Sequence, residues 1–443
     1  MKKGIQLSPP QILVFGFLSV IFFGAILLYM PISLEKGVNL HFLDALFTAT
    51  SAVTVTGLNV VDPGTTFNRL GEIIIMLLIQ VGGIGFMTFA ITIFVLLGKK
   101  IGLKQRLLMQ EGSNQLQMAG VVRLALYILQ ITVGFELIGA ILLAISWHQT
   151  YGWGEAFYLG IFHSIAAFNN AGFSLFKTSL MNDVGNLLVN FVITSLIIIG
   201  GLGFVVLMEL WNKKFQFRRL SLHSKVTIGA TLFLISSGTL ITFLLEYGNA
   251  KTLGPLSIGN KLLASYFQSV TTRTAGFNTI DIGSLTQATL FIYILYMFIG
   301  AASGSTGGGI KVTTMTVLLG TVKSLLRGKQ NTELFKRTIP TEQILRSLTI
   351  IILSLGIVFL SILILDITER GIPFLNIVFE VVSAFGTVGL SMGITPSLSV
   401  IGRIVIIITM FVGKLGPLTI GYAIARKVEK EYFHYPQEKM MIG

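Results

Sequence analysis

Ser383-Ala384-Phe385-Gly386-Thr387-Val388-Gly389-Leu390-Ser391 closes a short apolar segment, residues 373–385. That segment is too short to cross a bilayer, which takes about 20 apolar residues, and its length suits a re-entrant helix. The same arrangement occurs three times earlier in the chain. Segment 40–53 runs into Ser51-Ala52-Val53-Thr54-Val55-Thr56-Gly57-Leu58-Asn59. Segment 155–168 runs into Ala166-Ala167-Phe168-Asn169-Asn170-Ala171-Gly172-Phe173-Ser174, and segment 258–271 into Val270-Thr271-Thr272-Arg273-Thr274-Ala275-Gly276-Phe277-Asn278. Around each key glycine the pattern is a small or β-branched residue, Gly, Leu or Phe, then Asn or Ser. The key glycines 57, 172, 276 and 389 are separated by 115, 104 and 113 residues. A second landmark keeps the same register: Val81-Gly82-Gly83-Ile84-Gly85, Ile199-Gly200-Gly201-Leu202-Gly203, Ile299-Gly300-Ala301-Ala302-Ser303-Gly304 and Val412-Gly413-Lys414-Leu415-Gly416. Gly82, Gly200, Gly300 and Gly413 follow their key glycines by 25, 28, 24 and 24 residues. Two landmarks holding register through four units define four tandem repeats.

Working outward, each short segment lies between longer apolar stretches. The candidate spans are 11–30, 70–98, 121–147, 186–211, 225–246, 286–325 (interrupted), 344–366 and 399–425. Composition agrees: hydrophobic residues make up 53% and charged residues 12%, against roughly 25% charged in soluble domains. With a mean hydropathy of +0.81, this chain could not cover a water-facing surface. The excess of 32 Lys and Arg over 19 Asp and Glu is read as topology rather than as a nucleic-acid surface. The basic residues cluster in the first three residues, at 99–123, 213–225 and 311–346, and after residue 425. All these positions fall on one side of an eight-span chain, which the positive-inside rule makes the cytoplasmic side. The start, Met1-Lys2-Lys3 followed by an apolar run from Ile12 to Met30, is read as a first span because no small-x-small cleavage site follows it. The expected fold is an all-α integral membrane protein of four span–re-entrant helix–span repeats around one pseudo-four-fold pore. The repeats are 1–98, 99–212, 213–328 and 329–443, the last with a cytoplasmic C-terminus, and both termini are cytoplasmic.

Non-helical backbone at membrane depth is tolerated only where it is buried in protein or lines water. Four such stretches in one chain point to a shared pathway, and backbone carbonyls can replace the hydration shell of an alkali cation. The candidate residues are Thr54, Val55, Thr56 and Gly57; Asn169, Asn170, Ala171 and Gly172; Thr272, Arg273, Thr274, Ala275 and Gly276; and Gly386, Thr387, Val388 and Gly389. Gly suits a position needing positive φ and close approach. The short helix before each stretch aims its negative C-terminal end at the same place.

Thr387-Val388-Gly389-Leu390-Ser391 resembles the Thr-Val-Gly-Tyr-Gly filter of potassium channels. Four degraded copies in one chain resemble the Trk, Ktr and plant HKT superfamily of cation transporters, over essentially the whole chain. The specific parts are Phe168–Phe173, Thr274–Asn278, Ser383–Gly389 and Gly416-Pro417-Leu418-Thr419. Length and span number are most similar to the bacterial Ktr membrane subunit. In this superfamily Ser at the first filter glycine goes with sodium selectivity, so Gly57 implies a preference for K+. The resemblance also implies a homodimer docked on a cytoplasmic ring of nucleotide-binding regulatory subunits.

A second site is expected within the interrupted span. Gly300-Ala301-Ala302-Ser303-Gly304-Ser305-Thr306-Gly307-Gly308-Gly309 should not form a regular helix, since each Gly costs about 1 kcal/mol relative to Ala there. It is read as a flexible plug beneath the filter. The resemblance implies an intramembrane gating loop at this place. Followed by Ile310-Lys311, the segment superficially looks like a phosphate-binding loop, but such a loop needs Lys directly after its last Gly. Lys414 lies deep in an apolar stretch, where an ionisable residue is a functional candidate. It stands where relatives commonly have Arg, and it either meets the loop beneath the filter or pairs with a carboxylate such as Glu136 or Glu209. Arg273 either lines the pore mouth or supports the filter from behind. Glu380 either bonds filter amides or is a satisfied buried carboxylate. Asn169 and Asn170 are expected to brace the second filter stretch, and His163 is the histidine nearest the pathway.

No cysteine is present and only five His, and nothing in the pattern indicates chemistry on a substrate, so an enzyme is not expected. The expected function is gated, passive K+ permeation through a bacterial cell membrane, with K+ as the transported ion at the filter and no cofactor. The rival is a secondary carrier coupled to Na+ or H+, since carriers also use repeats and broken helices.

Overall fold

The first helix begins at Ser8, whose backbone N–H donates to Gln11 Oε1 at 3.0 Å in a capping box. In the computed structural model, which describes residues 8–85, 88–89, 121–424 and positions 436, 438 and 441, this helix, α1, spans Pro9–Tyr29. It stops because Met30 precedes a proline and is held extended. Much of the second expected span, the basic clusters at the N-terminus and around 99–120, and most of the tail after residue 425 lie outside the described residues.

The chain continues through α2 (Phe42–Val53), α3 (Arg69–Ile84), α4 (Val121–Phe168), α5 (Leu187–Leu202), α6 (Phe204–Asn212), α7 (Leu222–Glu246), α8 (Ile258–Thr271) and α9 (Gln287–Phe298). It ends through α10 (Val312–Leu326), α11 (Thr341–Thr368), α12 (Phe374–Gly386), α13 (Val400–Leu415) and α14 (Pro417–Ile424). Among the described residues four helices are long and apolar enough to cross a membrane: 10–29, 125–168, 222–246 and 341–368. Their outward faces carry exposed Phe22, Phe23, Leu137, Ile138, Phe233, Leu244, Phe359 and Leu360, the surface a bilayer covers. Helices α2, α8, α12 and the end of α4 occupy the four short segments. In α4 a break at Gly152, with φ of 75°, separates the long part from the short one.

The sequence reading expects one interrupted span, and the structure breaks more of them. Helices α5 and α6 meet at 94° about Gly203, and α13 and α14 at 95° about Gly416. The φ values of Gly203 and Gly416 are 90° and 84°, and Gly85, which ends α3, has 89°. Continuous fourth and eighth spans are therefore corrected to bent pairs, giving up to six spans among the described residues if each pair counts as one. The physical reason is the last Gly of each Gly-containing landmark, which takes up a left-handed conformation that L side chains disfavour. Between α10 and α11, Glu333–Leu334 and Arg337–Thr338 pair as a two-stranded hairpin, turned at Phe335 and Lys336 with positive φ as a two-residue turn demands.

The helices that follow the short segments start alike. Asn68, Asn186, Thr286 and Ser399 cap α3, α5, α9 and α13 through their side chains, which satisfies N–H groups left open at a helix start. Two caps are themselves fixed by buried carboxylates: Glu246 accepts from Thr286 N at 2.9 Å and Glu369 from Ser399 N at 3.0 Å. The core sits around the short helices. Phe47, Phe162, Phe267 and Phe379, nine or ten residues before a key glycine, are fully buried. An ion pair of Asp44 in α2 with Arg403 in α13 joins the first and last units.

Candidate functional site

The four short helices end in a way that fixes the backbone after them. In the first, Val55 N donates to Ala52 O at 3.1 Å and Thr56 N to Ser51 O at 2.8 Å. In the second, Asn170 N donates to Ala167 O at 3.1 Å and Ala171 N to Ala166 O at 2.8 Å; in the fourth, Thr387 N donates to Ala384 O at 3.1 Å and Val388 N to Ser383 O at 2.8 Å. This is the paired bond pattern of a Schellman ending, which needs a left-handed residue at its corner. The corner residues are Val55, Asn170 and Thr387, with φ of 51°, 57° and 49°. Thr274 has φ of 64°, but Ala275 N returns to Thr271 O at 3.1 Å, so the third ending differs. Holding Val or Thr left-handed costs about 1–3 kcal/mol and persists only where surroundings over-determine it. The sequence reading assigns positive φ to the key glycines alone. Those glycines do have φ of 91°, 68°, 80° and 89°, but the residue two positions earlier shares the property. Asn170 was the one legible hint, since Asn tolerates this region.

The four stretches meet in cyclic order. A Cβ added to Gly57 would stand 2.5 Å from Ala171 O and 2.9 Å from Gly172 Cα. One added to Gly172 would stand 2.9 Å from both Ala275 O and Gly276 Cα, and one on Gly276 would stand 2.6 Å from Val388 O. One on Gly389 would strike Thr56 O and stand 3.1 Å from Gly57 Cα. Each key glycine thus lies against the carbonyl just before the next one, and the fourth returns to the first. All four are places where a side chain is sterically barred.

Hydrogen bonds behind this ring hold it. Ser51 Oγ accepts from Gly57 N at 3.0 Å and Ser383 Oγ from Gly389 N at 3.1 Å; Thr271 Oγ1 donates to Phe277 O at 2.6 Å. Thr54 Oγ1 lies 2.8 Å from Thr56 Oγ1, and Thr272 Oγ1 donates to Ser269 O at 2.9 Å. Arg273, 4% exposed, donates to Thr231 Oγ1 at 3.1 Å. Its guanidinium reaches back into α7. Glu380 accepts from Ser391 Oγ at 2.7 Å and from Thr395 Oγ1. These bonds tie it to the loop leaving the fourth stretch, in keeping with the second of its two readings, a satisfied buried carboxylate. Asn169 donates to Gln80 Oε1 at 2.8 Å and Glu136 Oε1 at 2.9 Å. Asn170, with its amide oriented to satisfy both ends, accepts from Thr274 Oγ1 and donates to Ala167 O and Ile197 O, each at 3.2 Å. His163 is buried, bonded to Leu159 O at 2.8 Å and Ser174 Oγ at 3.0 Å and stacked on Phe176.

Residues 299–311 form no helix, and they are tied on several sides. Ala302 N donates to Gly201 O at 3.1 Å, Thr306 N to Gly200 O at 3.3 Å, Phe204 N to Gly304 O at 3.0 Å and Gly309 N to Gly413 O at 3.1 Å. Gly308 N donates to Thr387 Oγ1, the side chain of a candidate filter residue, at 2.9 Å. Ser305 Oγ returns to Ala302 O at 2.7 Å, and Ser303 Oγ lies 3.4 Å from Thr313 Oγ1. Gly300 N bonds Ile310 O at 2.8 Å and Val312 N bonds Ala301 O at 3.3 Å, closing the base. The small residues have a reason: a Cβ on Gly307 would strike Thr274 Oγ1, and one on Gly308 would come within 2.5 Å of Thr387 Oγ1.

Two ammonium groups enter this segment. Lys414 Nζ donates to Thr306 O at 2.6 Å, while Glu136 and Glu209 have other partners. Lys311, counted from sequence with a cytoplasmic basic cluster, instead turns back and donates to Gly307 O at 2.6 Å. Its place two residues after the glycine run was the available signal. A cavity of about 200 Å³ borders the segment, with Gly82, Gly85, Phe204, Gly304, Lys311 and Lys414 in its lining.

The TrkH family model, described as cation transport protein, matches residues 9–435. The chain is 49% identical to Ktr system potassium uptake protein B of Bacillus subtilis, over 100% of this chain and 98% of that protein. It is 40% identical to potassium/sodium uptake protein NtpJ of Enterococcus hirae, over 100% and 99%. The crystal structure of the potassium transporter TrkH from Vibrio parahaemolyticus matches with a TM-score of 0.73 at 20% identity, over 96% of this chain and 86% of that one. The last likeness bears on the fold alone; with the family match over nearly the whole length, the chain belongs to the TrkH family of cation transport proteins.

Proposed function

We propose that this chain is the membrane-spanning, ion-conducting subunit of a potassium uptake system. In this reading K+ moves passively through a ring of backbone carbonyls contributed by residues 54–57, 169–172, 272–276 and 386–389, and the segment Gly300–Gly309 obstructs the path beneath it. The observation that carries the reading is the cyclic contact of the four key glycines, each against the carbonyl preceding the next. Carbonyls so gathered replace water around an alkali cation, and the helix ends aimed at them favour positive charge. Lys414 and Lys311, bonded to loop carbonyls, hold the obstruction and place positive charge beside it. The names of the relatives support K+ as cargo, and "system" in one of those names supports further subunits. We assign to this assembly a homodimer in the bacterial cell membrane on a cytoplasmic nucleotide-binding ring, with four span–re-entrant–span units and both termini inside.

The test is cation flux into liposomes containing the purified chain, K+ against Na+, beside Gly57→Ser. A Ser there meets Ala171 O and a φ of 91°. Faster K+ flux in the parent, with weaker discrimination in the variant, supports the reading. Equal K+ and Na+ flux in both proteins overturns the filter. The carrier alternative draws on the relative named for both potassium and sodium; K+ uptake that stops when the Na+ or H+ gradient is removed would establish it instead.

A further inference from the structure

The residue three positions before the key glycine differs in each copy: Thr54, Asn169, Arg273 and Gly386. The second copy puts its side chain into an unusual setting. Asn169 is fully buried and Glu136, on α4, is 8% exposed. The Glu136 carboxylate accepts from Asn169 Nδ2 at 2.9 Å and from Gln80 Nε2 at 3.0 Å, and Asn169 Nδ2 also donates to Gln80 Oε1 at 2.8 Å. The ion pairs found among the described residues do not include Glu136. A buried carboxylate without a counter-charge is costly, and its acceptor capacity makes loss of any donor costly in turn. Asn169 is also wedged from the other side, since a Cβ on Gly83 would strike its amide. Gln80 belongs to α3, which ends a few residues later at Gly85. The three side chains therefore tie the second stretch of the ring to α3 of the first unit.

We propose that Glu136, acting with Gln80 through Asn169, is a specificity-determining positioning residue that sets where the second stretch stands in the ring. This rests on the carbonyl-filter reading above. Gly172 lies so close to its neighbours that a Cβ on it would stand 2.9 Å from Gly276 Cα. A shift of that stretch changes the separation of the ring carbonyls, and selection among alkali cations depends on how such carbonyls replace water. Glu136 touches no ion in this scheme; it acts by saturating two amides at once.

That requirement gives a specific test. A carboxylate offers acceptors to both amides, whereas Gln at 136 offers one oxygen and one NH2, so one of the bonds must fail. In the swapped double variant, Gln80→Glu with Glu136→Gln, the carboxylate moves across and every donor again faces an acceptor. Flux of K+ and Na+ into liposomes is measured for the parent, Glu136→Gln and the double variant, with thermal unfolding of each in detergent. The expected result is a K+ to Na+ ratio at least threefold lower in Glu136→Gln and restored in the double variant. Gln80→Met removes the bond to the carboxylate and the second acceptor of Asn169, and replaces Glu136→Gln if that variant does not fold, with the same direction expected. An unchanged ratio in a folded single variant overturns the proposal, as does a folded double variant that recovers stability but not the ratio. A parent without K+ preference overturns the filter reading and this inference with it, and is told apart from the other outcomes by the parent measurement alone.

Discussion

Lys414→Met removes an ammonium group while keeping an unbranched side chain of similar length. The lost bond is the 2.6 Å contact of Nζ with Thr306 O, a hydrogen bond from a charged donor in a buried setting. Such bonds contribute about 1.5–3 kcal/mol. If conduction requires the loop to leave its place, that amount is subtracted from the cost of opening. Tenfold per 1.4 kcal/mol then gives about a 10- to 150-fold rise in the open population of a mostly closed loop. The backbone ties to Gly200, Gly201 and Gly413 and the bond from Gly308 N to Thr387 Oγ1 remain, so the loop stays formed and the change is one of balance. The assay is K+ flux into liposomes at fixed gradient, with size-exclusion profiles and thermal unfolding to verify folding. Lys414→Arg separates charge from fit: it keeps positive charge beside the path, so slow flux there with fast flux in Lys414→Met assigns the barrier to charge. Fast flux in both assigns it to the short ammonium–carbonyl contact. Flux in folded Lys414→Met equal to or below the parent refutes the reasoning.

Deleting Gly304–Gly309 removes the obstruction and its glycine contacts, and K+ flux of the folded protein should rise; unchanged or lower flux counts against the gate. Gly200→Ala should cost about 1–3 kcal/mol of stability, because its Cβ strikes the carbonyl of Phe168 at the end of α4, and thermal unfolding reads this directly. Gly300→Ala should act differently, since its Cβ strikes Gly308 O within the loop; altered flux with a smaller loss of stability is the expected pattern. Arg403→Leu breaks the partly buried pair with Asp44, whose carboxylate then lacks its guanidinium, and should lower stability by about 1.5–3 kcal/mol while leaving the K+ to Na+ ratio unchanged.

Residues whose role is set by backbone spacing were readable from sequence. The four key glycines, the short helices before them and the non-helical run at 300–309 all follow from residue type and register. What stayed hidden depends on where individual side chains turn and which groups they meet. Lys311 reads as one more cytoplasmic cation until the chain folds back and places its Nζ on Gly307 O. Glu136 reads as a partner for a lysine until Asn169 and Gln80 arrive from different units to claim it. The bends at Gly203 and Gly416 lay closer to the surface of the sequence. The last glycine of the landmark stands three residues after the first in three units, and register alone could have marked it as a hinge rather than a packing contact.

A ring of carbonyls asks for equivalence only in the backbone, so the side chains behind it are free to diverge, and they have. The second copy is backed by a carboxylate, the third by a guanidinium, and the fourth by a carboxylate that holds its exit loop. The loop exploits this inequality. It springs from the third unit, in the place where Gly82, Gly200 and Gly413 of the other units instead pack on the ends of their short helices. Its ties run to Gly200, Gly201 and Phe204 on one side and to Thr387, Gly413 and Lys414 on the other. Those are the second and fourth units, the two neighbours of the third around the ring. Opposite stands the first unit, and there the cavity of about 200 Å³ is lined by Gly82, Gly83 and Gly85. Its wall there combines these glycines with the side chains of Leu13, Phe17 and Ile84. The asymmetry of the supports therefore decides how the loop is held: by the units on either side of its own, through backbone bonds and the Lys414 ammonium.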